Sequence, residues 1–130
     1  MQYLSEEHIR YALLQREPGV KNIHKILELR KWESEHLPLC NRTIGSAVSG
    51  YIMGALIEGS SPTVKELVNS LSEFSRAGIY LQLKRLESDG WISFENGVQD
   101  GRNKHIVPTT AFIKLIDQYA ARVRKTLGNP

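Results

Sequence analysis

The sequence predicts a mainly α-helical single domain with one small antiparallel β-hairpin, and three consecutive signals between Pro62 and Pro108 predict it. Thr63-Val64-Lys65-Glu66 is a capping box, in which the threonine hydroxyl accepts from the glutamate amide and the carboxylate reaches back. A longer helical pattern runs from Ser75 to Gly90, where glycine supplies the left-handed residue past a helix end. Two stretches of strand-forming residues then flank a polar, glycine-rich segment. Helix, tight turn, second helix and hairpin in direct succession form a winged helix-turn-helix. The predicted architecture is therefore a winged helix-turn-helix core over 43–108, flanked by an N-terminal helical extension over 1–42 and a C-terminal helix over 109–130.

Taken from its start, the chain opens on Ser5-Glu6-Glu7-His8, a capping serine followed by acids that complement the dipole of a helix N-terminus. Ile9, Ala12 and Leu13 give that helix an apolar side until Pro18-Gly19 stops it. Val20 to about His36 reads as a second helix, with Ile23, Ile26, Leu27 and Leu29 set among charged residues, and Leu37-Pro38-Leu39 ends it. Such short helices are not stable alone in water. They must cover either the domain's own core or a second subunit. Asn41 caps the next helix, which extends to about Glu58 with a broad stripe of Ile44, Val48, Tyr51, Ile52, Ala55 and Leu56. Glycine inside a helix costs roughly 1 kcal/mol relative to alanine, yet Gly45, Gly50 and Gly54 all fall here. Ser46, Gly50 and Gly54 recur every four residues, a smooth side that predicts close packing by another helix of the same subunit, with a ligand-facing surface as the other reading.

Gly59-Ser60-Ser61-Pro62 is a loop, and Val64, Leu67, Val68 and Leu71 then recur at helical spacing until Ser72-Glu73-Phe74 breaks the pattern. In the following helix, about 75–88, Ile79, Leu83 and Leu86 occupy one narrow stripe with Ser75 and Gln82 on its edges. Ala77, Tyr80, Leu81 and Lys84 point the other way and Arg85 flanks them. The second helix of a helix-turn-helix lies in a DNA major groove, which makes Ser75, Arg76, Ala77, Tyr80, Leu81, Lys84 and Arg85 candidate DNA contacts. Trp91-Ile92-Ser93-Phe94-Glu95 and His105-Ile106-Val107 are the candidate strands. The wing between them, about 95–105, carries Arg102, Asn103 and Lys104, suited to the minor groove or the backbone, with Asp100 placed to orient the Arg102 guanidinium by a charge-assisted hydrogen bond. Thr109 or Thr110 then caps a last helix through Phe112, Leu115, Ile116, Tyr119 and Val123, with Lys114, Arg122, Arg124 and Lys125 outside.

Over roughly residues 43–127 the chain resembles the MarR family of bacterial transcription regulators. The resemblance rests on Thr63, Glu66 and Leu67 at the opening of the first helix, on the run from Leu83 to Ile92, on Asp100 and Arg102 in the wing, and on Val107-Pro108-Thr109 before the last helix. Leu81 stands where the family often has a polar or basic residue, Pro108 replaces a usual leucine, and one short helix follows the wing where many relatives have a longer pair. The resemblance implies a homodimer built from the terminal helices, binding to double-stranded DNA, and a small-molecule effector of the apolar or aromatic-acid kind. Some members of the family use an N-terminal cysteine as a redox switch, and Cys40 is the residue here that such a role would fall to. Arg42 and the helix start at Asn41 are surroundings that lower a thiol pKa, although a plain structural thiol is the simpler reading.

Composition sets the remaining bounds. At 41% apolar and 24% charged residues the chain matches ordinary globular proteins. No apolar run is long enough to span a bilayer and the first residues lack a secretory pattern, so the expected location is the cytoplasm and no membrane is involved. A single cysteine fits a reducing compartment. The histidines His8, His24, His36 and His105 lack metal-ligand spacing, and no nucleophile–base grouping or phosphate-binding glycine loop is present. Neither a metal, a cofactor nor an enzymatic activity is expected. Although the net charge is +3, residues 63–109 carry as many acidic as basic side chains. Phosphate binding by this segment depends on where its charges point, not on their sum. That neutrality, with an exposed Leu81, also suits a winged helix used as a protein-interaction module without specific DNA binding.

Overall fold

The structure, a computed structural model, describes residues 5–14, 19–38, 42–97 and 103–128. In chain order these form α1 (Glu6–Leu14), α2 (Val20–His36), α3 (Arg42–Ile57), α4 (Val64–Ser70), α5 (Arg76–Ser88), β1 (Ile92–Asn96), β2 (Lys104–Pro108) and α6 (Thr110–Leu127). The chain divides into two compact units, His36–Gln118 and Met1–Glu35 with Tyr119–Pro130. None of the described helices is long and apolar enough to cross a membrane.

In the unit His36–Gln118 every element supplies the core. Val48 and Ile52 come from α3, Leu67 and Val68 from α4, Ile79, Leu83 and Leu86 from α5, Ile92 and Ile106 from the two strands, and Phe112 from α6. Local chemistry fixes the element ends. The Thr63 hydroxyl accepts from the Glu66 amide at 3.1 Å, opening α4. Ser75 does the same for α5, accepting from Gly78 at 3.1 Å. Gly90, at φ 82°, adopts the left-handed conformation that ends α5. Its neighbour Trp91 donates back to the Leu86 carbonyl at 2.9 Å.

The hairpin pairs β1 with β2 in antiparallel register, Phe94 opposite Ile106 and Glu95 opposite His105. It is tied down at both ends. The Ile106 amide donates to the Pro62 carbonyl at 2.8 Å, and Thr63 forms an isolated bridge with His105. At the other end the Thr109 hydroxyl donates to the Gly90 carbonyl at 2.6 Å and accepts from the Phe112 amide at 3.3 Å, so the cap of α6 also clamps the end of α5. Trp91 meets Phe112 edge-on at 6.3 Å between ring centres.

The small-residue side of α3 differs from expectation. Ser46, Gly50 and Gly54 are exposed, and a Cβ at Gly50 or Gly54 would meet nothing within 4 Å. Close approach occurs instead at Gly78, where a Cβ would lie 2.8 Å from Ile44 Cδ1 and 3.0 Å from Ser75 Oγ. The first turn of α5 therefore lies close against α3, where a side chain at Gly78 would require Ile44 to shift.

The unit Met1–Glu35 with Tyr119–Pro130 is built differently. None of its described side chains is fully buried, and Ile9, Tyr11, Ile23, Ile26, Leu27 and Leu127 are exposed. Its clearest internal contacts converge on Tyr119, which stacks on Trp32 at 5.6 Å and donates its hydroxyl to Glu33 Oε2 at 2.9 Å. Desolvation, followed by the hydrogen bond and the negative charge of Glu33, pushes the Tyr119 phenol up to about 12.

Two outcomes follow from this packing. Truncating Leu83 to alanine removes a side chain at the centre of the core, and urea unfolding should show a loss of about 2–5 kcal/mol. The raised Tyr119 pKa favours the neutral phenol in the folded chain, so its stabilisation is fully present below pH 10, the ordinary tyrosine value, and is lost between pH 10 and 12. Unfolding midpoints measured across that window should fall less steeply for Tyr119→Phe than for the unaltered chain.

Candidate nucleic-acid interface

Burying Ile79, Gln82, Leu83 and Leu86 leaves the opposite side of α5 to solvent. Arg76, Ala77, Tyr80, Leu81, Lys84 and Arg85 are all exposed, Tyr80 by 50% and Leu81 by 52%. Gln82, placed on the edge of the stripe by its spacing, is buried, and its Nε2 donates to the Pro38 carbonyl in a long hydrogen bond of 3.4 Å. Ser75 is exposed at the start of the helix, with its hydroxyl already committed to the cap.

A cleft of about 1010 Å³ opens between α4, α5 and the hairpin. Arg76, Tyr80, Lys84 and Glu87 line it from α5, Lys65 and Asn69 from α4, and Asn96, Asn103 and Lys104 from the hairpin. Thus Arg76, Tyr80, Lys84, Asn103 and Lys104 are brought together around one groove. Ala77, Leu81 and Arg85 do not line it. Asp100, Arg102 and Cys40 lie outside the described residues.

Charge on this unit is distributed unevenly. The cleft gathers Lys65, Arg76, Lys84 and Lys104 against the single carboxylate of Glu87, while Glu66, Glu73, Asp89 and Glu95 do not line it. Among the described residues none of the four cations has an ion-pair partner, the recorded pair being His24 with Glu28 at 3.1 Å. A neutral segment therefore presents a positive concave face, the arrangement that attracts a polyanion. Sequence spacing did not single out Lys65, Asn69 or Asn96. The first two are four apart on α4 and so share a side of it, and Asn96 is opposite Lys104 in the hairpin register. That pairing becomes visible only when the register is known.

No protein-family model matches the chain, and no curated protein matches it in sequence. Solved structures do match in fold. The MepR protein of S. aureus in complex with DNA superposes with a TM-score of 0.61 at 20% identity, over 82% of this chain and 76% of that one. A mutant MarR from E. coli in complex with operator DNA superposes at 0.53 and 21% identity, over 84% of this chain and 76% of that one. An uncharacterised SlyA-like transcription regulator from Listeria monocytogenes gives 0.50 at 20% identity, over 97% and 72%. With six helices and a two-stranded antiparallel hairpin among its described residues, the chain has the winged helix-turn-helix fold of the MarR-type regulators.

Proposed function

We propose that this chain binds duplex DNA sequence-specifically as a dimeric transcription regulator, with α5 in the major groove and the wing on the adjacent minor groove or backbone. The observation that carries this reading is the positive cleft, in which four cations without ion pairs among the described residues gather with the exposed Tyr80 of α5. In this reading Lys65, Arg76, Lys84 and Lys104 neutralise phosphates, which supplies affinity and salt dependence. Asn69, Asn96 and Asn103 hydrogen-bond the backbone and fix register, and Tyr80 approaches base edges. Arg85 and Ala77 extend the contact along the outer side of α5, and Ser75 sits where the helix N-terminus faces a phosphate. Arg102, oriented by Asp100, contributes at the wing. That the MepR and MarR structures of this fold were solved with DNA supports the reading.

The dimer rests on a separate observation. The unit containing α1, α2 and the end of α6 fully buries none of its described side chains, while Ile9, Tyr11, Ile23, Ile26, Leu27 and Leu127 face solvent. A second copy is the cover that closes such a surface symmetrically. Two copies meet two half-sites about one helical turn apart. The exposed Leu81 favours a second reading, in which α5 packs on a protein partner.

Salt titrations on a duplex selected from random sequence and on a scrambled duplex separate these possibilities. Lys104→Ala should weaken both duplexes alike and lower the slope of log affinity against log salt by about one contact. Tyr80→Ala should cost roughly 1–3 kcal/mol on the selected duplex only. If neither substitution changes either affinity, α5 does not face DNA and the protein-partner reading replaces it. Sedimentation at tens of micromolar should show a dimer, and one that dissociates when Ile23 and Leu27 are both changed to glutamate. A monomeric unaltered chain would refute the assembly.

A further inference from the structure

The side chains on the outer face of α5 narrow the base chemistry it is able to read. At 100° per residue, Ala77, Leu81 and Lys84 lie opposite the buried Ile79–Gln82–Leu83–Leu86 face. Ala77, Tyr80 and Leu81 are exposed in the first two turns, the part of such a helix that meets base edges. Adenine is ordinarily read by the paired donor and acceptor of an asparagine or glutamine amide. On α5 the only amide side chain is Gln82, which is 2% exposed and donates to the Pro38 carbonyl. Amide reading of adenine is therefore unavailable from this helix.

What the first two turns offer instead is a methyl at Ala77 and an isobutyl group at Leu81, which is 52% exposed. A single exposed leucine on a protein surface is ordinary. This one is flanked on the helix surface by Lys84 and Arg85, three and four residues on, neither of which has an ion-pair partner among the described residues. These two flanking cations oppose an apolar protein surface, which would have to desolvate them, and suit a groove walled by phosphates. Within a major groove the apolar group presented by a base is the thymine C5-methyl.

We propose that Ala77 and Leu81 form an apolar reading surface for thymine C5-methyl groups, so that α5 recognises A·T pairs through the methyl and not through an amide. The inference rests on the DNA-binding reading given above. It makes Leu81, a residue that donates and accepts no hydrogen bond through its side chain, a determinant of specificity.

The test uses the full chain and a duplex that it selects from random sequence, resynthesised with uracil in place of thymine. Uracil keeps each hydrogen-bonding edge and each phosphate and removes only the methyl. The uracil duplex should bind more weakly, roughly fourfold for each contacted methyl, the equivalent of about 0.8 kcal/mol per buried CH₂-sized group. For Leu81→Ala, shown to be folded by an unchanged urea midpoint, the thymine-to-uracil ratio should fall towards one. If the unaltered chain binds the selected duplex but treats thymine and uracil alike, methyl reading is overturned while DNA binding stands. A full ratio retained by Leu81→Ala places the methyl contact elsewhere and overturns the assignment to Leu81. If no duplex binds at any salt concentration, the inference and the DNA-binding reading both fall.

Discussion

The exposed face of α5 depends on the burial of its other side. Ile79 and Leu86 are fully enclosed and Leu83 is 2% exposed, in one core cluster with residues of α3, α4, the hairpin and the start of α6. Burying such a side chain contributes about 1.5–3 kcal/mol, whereas a helix of this length is marginal by itself. The stripe both makes the helix and sets its rotation. Once three positions in thirteen are committed to the core, the rotation of the remaining side chains is determined. Arg76, Tyr80 and Lys84 turn towards the cleft and Ala77 and Leu81 turn fully outward.

The hairpin belongs to the same frame. Its second strand is tied to the segment before α4 by the Ile106–Pro62 hydrogen bond and the Thr63–His105 bridge. Its far end is joined to α5 through Thr109 and Gly90. Lys104 and Lys65 are thereby brought to the same cleft as Lys84 and Arg76, although they are distant along the chain. Exposed charges interact over a Debye length of about 8–10 Å at ordinary salt. A segment with no net charge thus presents a positive field on one side, because most of its carboxylates are placed on the others.

The second unit relies on a different kind of contact. Tyr119 joins Trp32 and Glu33 through stacking and a hydrogen bond, and desolvation there raises the phenol well above its ordinary value. Around this contact Ile9, Tyr11, Ile23, Ile26 and Leu27 of α1 and α2 remain exposed. Hydrophobic stabilisation scales with apolar area removed from water, and within one copy the described residues of this unit remove little. The assembly proposed above supplies what a single copy lacks.

Much of the fold was legible in the sequence because its determinants are local. Thr63, Ser75 and Thr109 cap helices from within three residues, Gly90 ends α5 through its own backbone freedom, and the Ile79–Leu83–Leu86 spacing names the buried side of α5 without reference to any partner. The exposed positions of α5 were legible as the complement of that stripe. What the sequence left undecided depends on distance through space. Spacing marks Gly50 and Gly54 as small, yet only the packing shows that open space faces them and that Gly78 is where α5 touches α3. Spacing sets Gln82 at the edge of a stripe, and the tertiary structure buries it against Pro38. Lys65, Asn69 and Asn96 enter the cleft because the hairpin folds back onto α4, a closure made by contacts forty and more residues apart. Periodicity along a chain determines which side of each element is apolar; only the packing of those sides against one another decides which polar groups end up facing the same groove.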